Sequence, residues 1–202
     1  MITFMLASAL VGGAQETALT HCSTRLNRPV AKALLSSTSL DEATAYAKKV
    51  KVRTNCTASG KYSGFYSFEP TGGSVDSVRG VVAEVLIKDE LQSAAALPAQ
   101  PIQRQYSRPW FAATGRHVSI NEMAACIADT NPSGVLNILR SDSTNASEVA
   151  AFSAINPTFE ACLSAEFKLV GNRQVVRGAL ADALYQRVAA AAASLQSRTE
   201  RR

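Results

Sequence analysis

The sequence predicts an all-α protein, with a minor two-stranded β piece as an option, built as two tandem pseudo-symmetric three-helix repeats. Three observations predict it: two stretches with apolar residues every three or four positions, a two-cysteine frame that occurs twice, and a Val-Arg-Gly motif that also occurs twice. The chain has 202 residues, of which 47% are hydrophobic and 18% charged. That make-up is enough for a buried core and excludes collagen-like and disordered chains. No stretch reaches the roughly 18 to 20 unbroken apolar residues needed to cross a bilayer.

The chain aligns with itself. Cys22 and Cys56 are 34 residues apart, and Cys126 and Cys162 are 36 apart. A shift of 104 carries Cys22 to Cys126, Leu34 to Ile138, Leu35 to Leu139 and Ser37 to Ser141. After a two-residue insertion, a shift of 106 carries Glu42 to Glu148 and Cys56 to Cys162. Further on, at a shift of 98, the run from Val78 to Leu86 matches the run from Val176 to Leu184. The implied organisation is a leader over 1–14, a first repeat over 15–91, a linker over 92–117, a second repeat over 118–196 and a flexible tail over 197–202.

The first helix of each copy surrounds its leading cysteine, over 16–26 and 120–130. Asn27-Arg28-Pro29 and Asn131-Pro132 break the chain, and proline suits the first turn of the helix that follows. That second helix carries Leu34-Leu35 or Ile138-Leu139. Ser39-x-x-Glu42 and Asn145-x-x-Glu148 then have the pattern of a capping box or its Asn variant. The helix they open is expected to run on toward Cys56 in copy one. In copy two it breaks at Asn156-Pro157 and resumes toward Cys162.

The closing helices are expected over 75–91 and 173–195, with apolar faces through Val78, Val82, Val85 and Leu86, and through Val176, Leu180, Leu184 and Val188. A glycine inside a helix costs about 1 kcal/mol relative to alanine, so Gly80 and Gly178 at matched positions call for close approach of another backbone. Arg79 and Glu84, like Arg177 and Asp182, stand five apart and so about 140° round the helix. A local salt bridge is therefore poor, and each is expected to meet a partner from another element, or water, in a structural role.

The connectors differ. Lys61 to Phe68 and Glu166 to Val170 look extended, and the first holds the aromatic cluster Tyr62, Phe65, Tyr66 and Phe68. The linker carries Pro98, Pro101 and Pro109, then Tyr106, Trp110 and Phe111, so its second half is expected to pack down.

Residues 1–14 are uncharged and apolar and end in Gly12-Gly13-Ala14, a small-x-small site that fits a secretory leader without its usual positive start. Four cysteines, all beyond that point, agree with an oxidising compartment, periplasmic or secreted. Four thiols allow three pairings. The duplication selects Cys22 with Cys56 and Cys126 with Cys162, with redox-active thiols as the alternative. Only His21 and His117 are available as imidazole ligands and no C-x-x-C pair exists, so neither a metal site nor a cofactor is expected. The formal charge of +5 is spread without a dense basic stripe, which argues against nucleic acid as a partner.

The two-cysteine frame together with Val-Arg-Gly-x-x-Ala-acid-x-Leu resembles a group of small, exported, uncharacterised bacterial helical proteins that end in an R-G-x-L-A-E-x-L-Y helix. Copy two fits over some 65 residues, from Met123-Ala-Ala-Cys126 to Arg177-Gly178-Ala-Leu-Ala-Asp182-Ala-Leu-Tyr185, whereas copy one has Ile87 in the tyrosine position. The resemblance implies export and a helical fold and brings no activity.

No phosphate loop, nucleophile elbow, zinc-protease motif or dinucleotide fingerprint is present. The expectation is therefore a non-enzymatic envelope protein that binds a protein, peptide or cell-wall component, or has a structural role. The rival is an extracytoplasmic hydrolase acting through two carboxylates drawn from Glu84, Glu148, Glu160 and Asp182.

Overall fold

The computed structural model describes residues 23–58, 62–68, 74–103, 105–141, 146–163 and 172–200. The molecule is mostly helical. Strand β1 (Ser23–Leu26) is followed by α1 (Arg28–Ser36), α2 (Leu40–Ala47), β2 (Val52–Ala58), β3 (Tyr62–Phe68), α3 (Val75–Asp89) and the short α4 (Leu91–Ala95). A 3-10 turn at Pro109–Ala113 leads into α5 (Val118–Thr130), α6 (Pro132–Arg140), α7 (Ala146–Ala154), α8 (Asn156–Cys162) and the long α9 (Arg173–Thr199).

Helix starts follow the side chains that cap them. Pro29 and Pro132 sit in the first turns of α1 and α6, where the missing N–H costs nothing. Asn131 caps α6 by accepting from the Gly134 N–H at 2.9 Å. Ser39 accepts from the Glu42 N–H at 3.3 Å, while the Glu42 carboxylate accepts from the Thr38 N–H at 3.4 Å, one residue before the N-cap. Ser74 and Asn172 cap α3 and α9 through the N–H groups of Ser77 and Gln174. Asn145, the expected cap of α7, lies outside the described residues, as do residues 1–14 and the extended run expected over 166–170.

Copy one departs from the all-helical expectation at both of its cysteine-bearing ends. Ser23–Leu26 and Val52–Ala58 are strands, and with Tyr62–Phe68 they make an antiparallel sheet in the order β1-β2-β3. In the register, Ser23 stands opposite Asn55 and Cys56 opposite Gly64. The physical reason is local. Val52, Thr54 and Thr57 favour extended backbone, and nothing between Lys48 and Arg53 supplies a new helix start of the kind Asn156-Pro157 gives α8. At the other end, α9 continues to Thr199, so the first three residues of the expected flexible tail are helix.

One continuous core joins the elements. It draws Leu34 and Leu35 from α1, Val82 and Leu86 from α3, Met123 and Ile127 from α5, Ile138 and Leu139 from α6, and Leu180 and Leu184 from α9. Phe152 of α7 stacks on Phe159 of α8 with ring centroids 6.2 Å apart. The linker packs down through buried Tyr106 and Trp110, and the Gln100 N–H donates to the Asp129 carbonyl at 2.8 Å. No helix among the described residues is long and apolar enough to cross a membrane.

Candidate functional site

The two Val-Arg-Gly motifs meet each other. A Cβ placed on Gly80 would lie 2.6 Å from the Gly178 Cα, and one placed on Gly178 would lie 3.2 Å from the Gly80 Cα. The helix-interior glycines therefore mark where α3 and α9 touch backbone to backbone, a distance no larger residue allows at Gly80.

That contact places each motif's arginine beside the other motif's acid. Arg79 donates from Nε and Nη2 to both carboxylate oxygens of Asp182, at 2.9 and 3.1 Å. Arg177 does the same to Glu84, at 3.0 and 2.7 Å. Each guanidinium also reaches a matching pair of helix-end carbonyls. Arg79 donates to Leu34 and Leu35 at the end of α1, at 2.6 and 3.2 Å. Arg177 donates to Ile138 and Leu139 at the end of α6, at 2.7 and 3.0 Å. Carbonyls in a last helical turn lack the usual N–H donors and carry the negative end of the helix dipole, so a buried cation is well placed there.

Around this shared plan the two ends differ. Glu148 of α7, fully buried, adds a second carboxylate to Arg177 at 3.1 Å, and Arg173 stands 3.5 Å from its other oxygen. At the opposite end Asp182 is shared with Arg116, 3.1 Å away, and Arg116 also binds Asp76. The chain turns into Arg116 through Gly115, whose φ of 71° suits glycine. Gln186 donates to the Leu35 carbonyl at 2.6 Å and closes that end.

The surroundings set the titration of these groups. Burial pushes the Asp182 carboxyl up, but the charges of Arg116 and Arg79 and the hydrogen bonds from Arg79 and Gln186 outweigh it, and the group lies below the usual carboxylate range. For Glu148 burial prevails over Arg177 and Arg173, with the Glu84 charge adding to it, and the carboxyl lies above that range. Burial lowers Arg177, but Glu84 and then Glu148 more than offset it, so its guanidinium is held charged.

Of the four carboxylates considered for hydrolysis, Glu84, Glu148 and Asp182 are buried and tied to arginine, and Glu160 on α8 is exposed and belongs to neither network. These three carboxylates are buried in ion pairs, whereas a pair that hydrolyses a glycoside must face its substrate. The pairings of Arg116 with Asp76 and of Arg108 and Arg187 with Asp129 had no linear signal, because each partner lies more than twenty residues away in the chain.

The second feature is a cleft of about 310 Å³ beside a disulfide. Cys126 of α5 and Cys162 of α8 are bonded, with Cα atoms 5.7 Å apart. Ile102, Gln103, Gln105 and Tyr106 of the linker form one wall. Ser119, Glu122 and Cys126 of α5 line the cleft as well, as do Cys162 and the Leu163 that follows it. Tyr106 holds the linker wall in place by accepting from the Gln103 N–H through its hydroxyl, at 3.2 Å. Cys22 and any pairing of it with Cys56 lie outside the described residues. No group of three or more metal-ligating side chains occurs among the described residues.

No family model matches the chain, and no curated protein or solved structure matches it either.

Proposed function

We propose that the protein is a non-enzymatic binding module of the bacterial cell envelope, exported to the periplasm or beyond, whose partner is a protein, peptide or cell-wall component. The observation that carries this reading is the division of labour between the two sites. The acids and arginines of the repeated motif are spent on one another inside the molecule, whereas the cleft beside Cys126–Cys162 is open and lined by groups of mixed polarity. A hydrolase would need the reverse, with two carboxylates exposed to substrate. Export is supported by the Cys126–Cys162 bond, which persists where thiols are oxidised, and by the apolar stretch over 1–14.

The fold reading that goes with it is a tandem duplication, residues 15–91 and 118–196, each copy closed by its own bridge. It is supported by the matched ligands of Arg79 and Arg177, which follow the sequence shifts of 104 and 98 found from the residues alone. The Cys22–Cys56 pairing is supported by the Ser23–Asn55 register, since the chain neighbours of that pair are those two cysteines.

The test combines cell fractionation, non-reducing peptide mapping and a substrate panel. The full chain is expected in an extracytoplasmic fraction, with Cys22–Cys56 and Cys126–Cys162 peptides linked, no turnover of envelope polysaccharides, and a component that co-purifies and rebinds saturably when purified. Polysaccharide turnover abolished by Glu84→Gln or Glu148→Gln would overturn the binding reading in favour of the hydrolase.

A further inference from the structure

We propose that the cleft beside the Cys126–Cys162 bridge is a site for a lysine-like side chain presented on a short peptide segment. The inference rests on the reading of the protein as a binding module and names the chemistry of what it binds. Glu122 is the one charged residue among the described residues that line the cleft, and it is half-buried. Among the described residues it has no hydrogen-bond or ion-pair partner. The contrast with the rest of the molecule is sharp: Glu84, Asp129, Glu148 and Asp182 each meet at least one arginine. A carboxylate drawn partly out of water gains most from a cation that arrives with its own desolvation shared, and an ammonium donates three hydrogen bonds to such a wall.

The other lining groups fit the remainder of that ligand. The Gln103 and Gln105 carboxamides make no hydrogen bond among the described residues, and each can both donate to and accept from a peptide group. Ile102, 53% exposed, and Leu163 supply apolar surface along which a methylene stem can lie below its charged head. The volume of about 310 Å³ stands at the lower end of small-ligand sites, suited to one side chain with its flanking peptide groups rather than to a folded domain. The Ser119 hydroxyl is already engaged with the His117 ring nitrogen at 2.7 Å, so the acid acts as the cation's principal acceptor.

The experiment uses the full oxidised chain and three probes: acetyl-Ala-Lys-Ala-amide, the same peptide with an Nε-acetylated lysine, and acetyl-Ala-Glu-Ala-amide. Binding is followed by backbone amide NMR shifts. The lysine peptide is expected to give saturable shifts at Ile102, Ser119, Glu122 and Cys126, with both other probes weaker by at least about tenfold. Glu122→Gln, checked by an unchanged thermal melt, is expected to weaken the lysine peptide by a similar factor and to abolish its advantage over the acetylated form. Equal binding of the acetylated peptide, an unaffected Glu122→Gln variant, or no saturable shift in the cleft would overturn the site. An envelope partner that binds wild type and Glu122→Gln equally would overturn the site and leave the binding-module reading standing. A cleft that prefers the lysine peptide in a chain that recovers no envelope partner would uphold the site and count against that reading.

Discussion

Gly80 and Gly178 face each other with their backbones in contact: the position of a Cβ on Gly80 is 2.6 Å from the Gly178 Cα. The reverse substitution is less crowded, at 3.2 Å. Gly80→Ala is therefore expected to destabilise the protein by about 1–3 kcal/mol, the range for overpacking, even though alanine is the better helix former. Gly178→Ala is expected to cost clearly less, because the helix-propensity gain of up to about 1 kcal/mol offsets part of a milder contact. Urea unfolding of both variants checks the order, and a larger loss at Gly178 would contradict the crossing geometry.

Removing the two arginines is expected to have unequal effects. Arg177→Met leaves Glu84 and Glu148 buried together, with Lys88 at 3.3 Å from Glu84 and Arg173 at 3.5 Å from Glu148 as the cations still beside them among the described residues. Arg79→Met leaves Asp182 still paired with Arg116. Breaking a buried pair from one side costs about 3–5 kcal/mol, and the first variant is expected near the top of that range and the second near the bottom. Chemical denaturation at neutral pH measures both.

Acid titration separates the two carboxylates by sign. Asp182 has a folded-state pKa below its unfolded value, so its contribution is complete above the ordinary aspartate range and is lost as pH falls through the depressed folded value. The stability gap between wild type and Asp182→Asn is therefore expected to narrow as the solution is acidified. Glu148 has a folded-state pKa above its unfolded value. Its contribution is complete below the ordinary glutamate range and declines as pH rises through the raised folded value. The gap between wild type and Glu148→Gln is expected to narrow in the opposite direction. Stability curves measured between pH 3 and pH 7 on the three proteins decide it, and parallel curves would refute both assignments.

The Cys126–Cys162 bridge closes a loop with a sequence separation of 36 residues. The chain-entropy relation gives about 4 kcal/mol for a loop of that size. Replacing both cysteines with alanine is expected to lower the unfolding free energy by roughly that amount and to widen the amide exchange of α5 and α8. Native-state hydrogen exchange on the oxidised and double-alanine proteins provides the comparison.

The long helices were readable because α3 and α9 repeat their apolar residues at helical spacing and carry a glycine that asks for a neighbour. The five-residue step from Arg79 to Glu84 made a bond between them poor but held no information on which acid would answer, since that depends on how two distant helices cross. The strand at Val52–Ala58 was missed for a definable reason. Cys56 aligns with Cys162, and the alignment carried the helix of α8 into a segment whose Val52, Thr54 and Thr57 prefer extended backbone. Arg116 was hidden by its place in a proline-rich stretch read as a connector, although it bridges Asp76 and Asp182. Glu122 has a helical position like any surface acid, and only the folded cleft singles it out.

The joining segment is gripped along its length: Gln100 bonds to the Asp129 carbonyl, Arg187 reaches the Pro98 carbonyl, Arg108 meets Asp129, and Arg116 ties the end of the segment to α3 and α9. Once the molecule has formed, chain continuity between Pro98 and Gln103 is not what keeps its parts together. A protease nick there would leave a stable two-chain particle with the same interior.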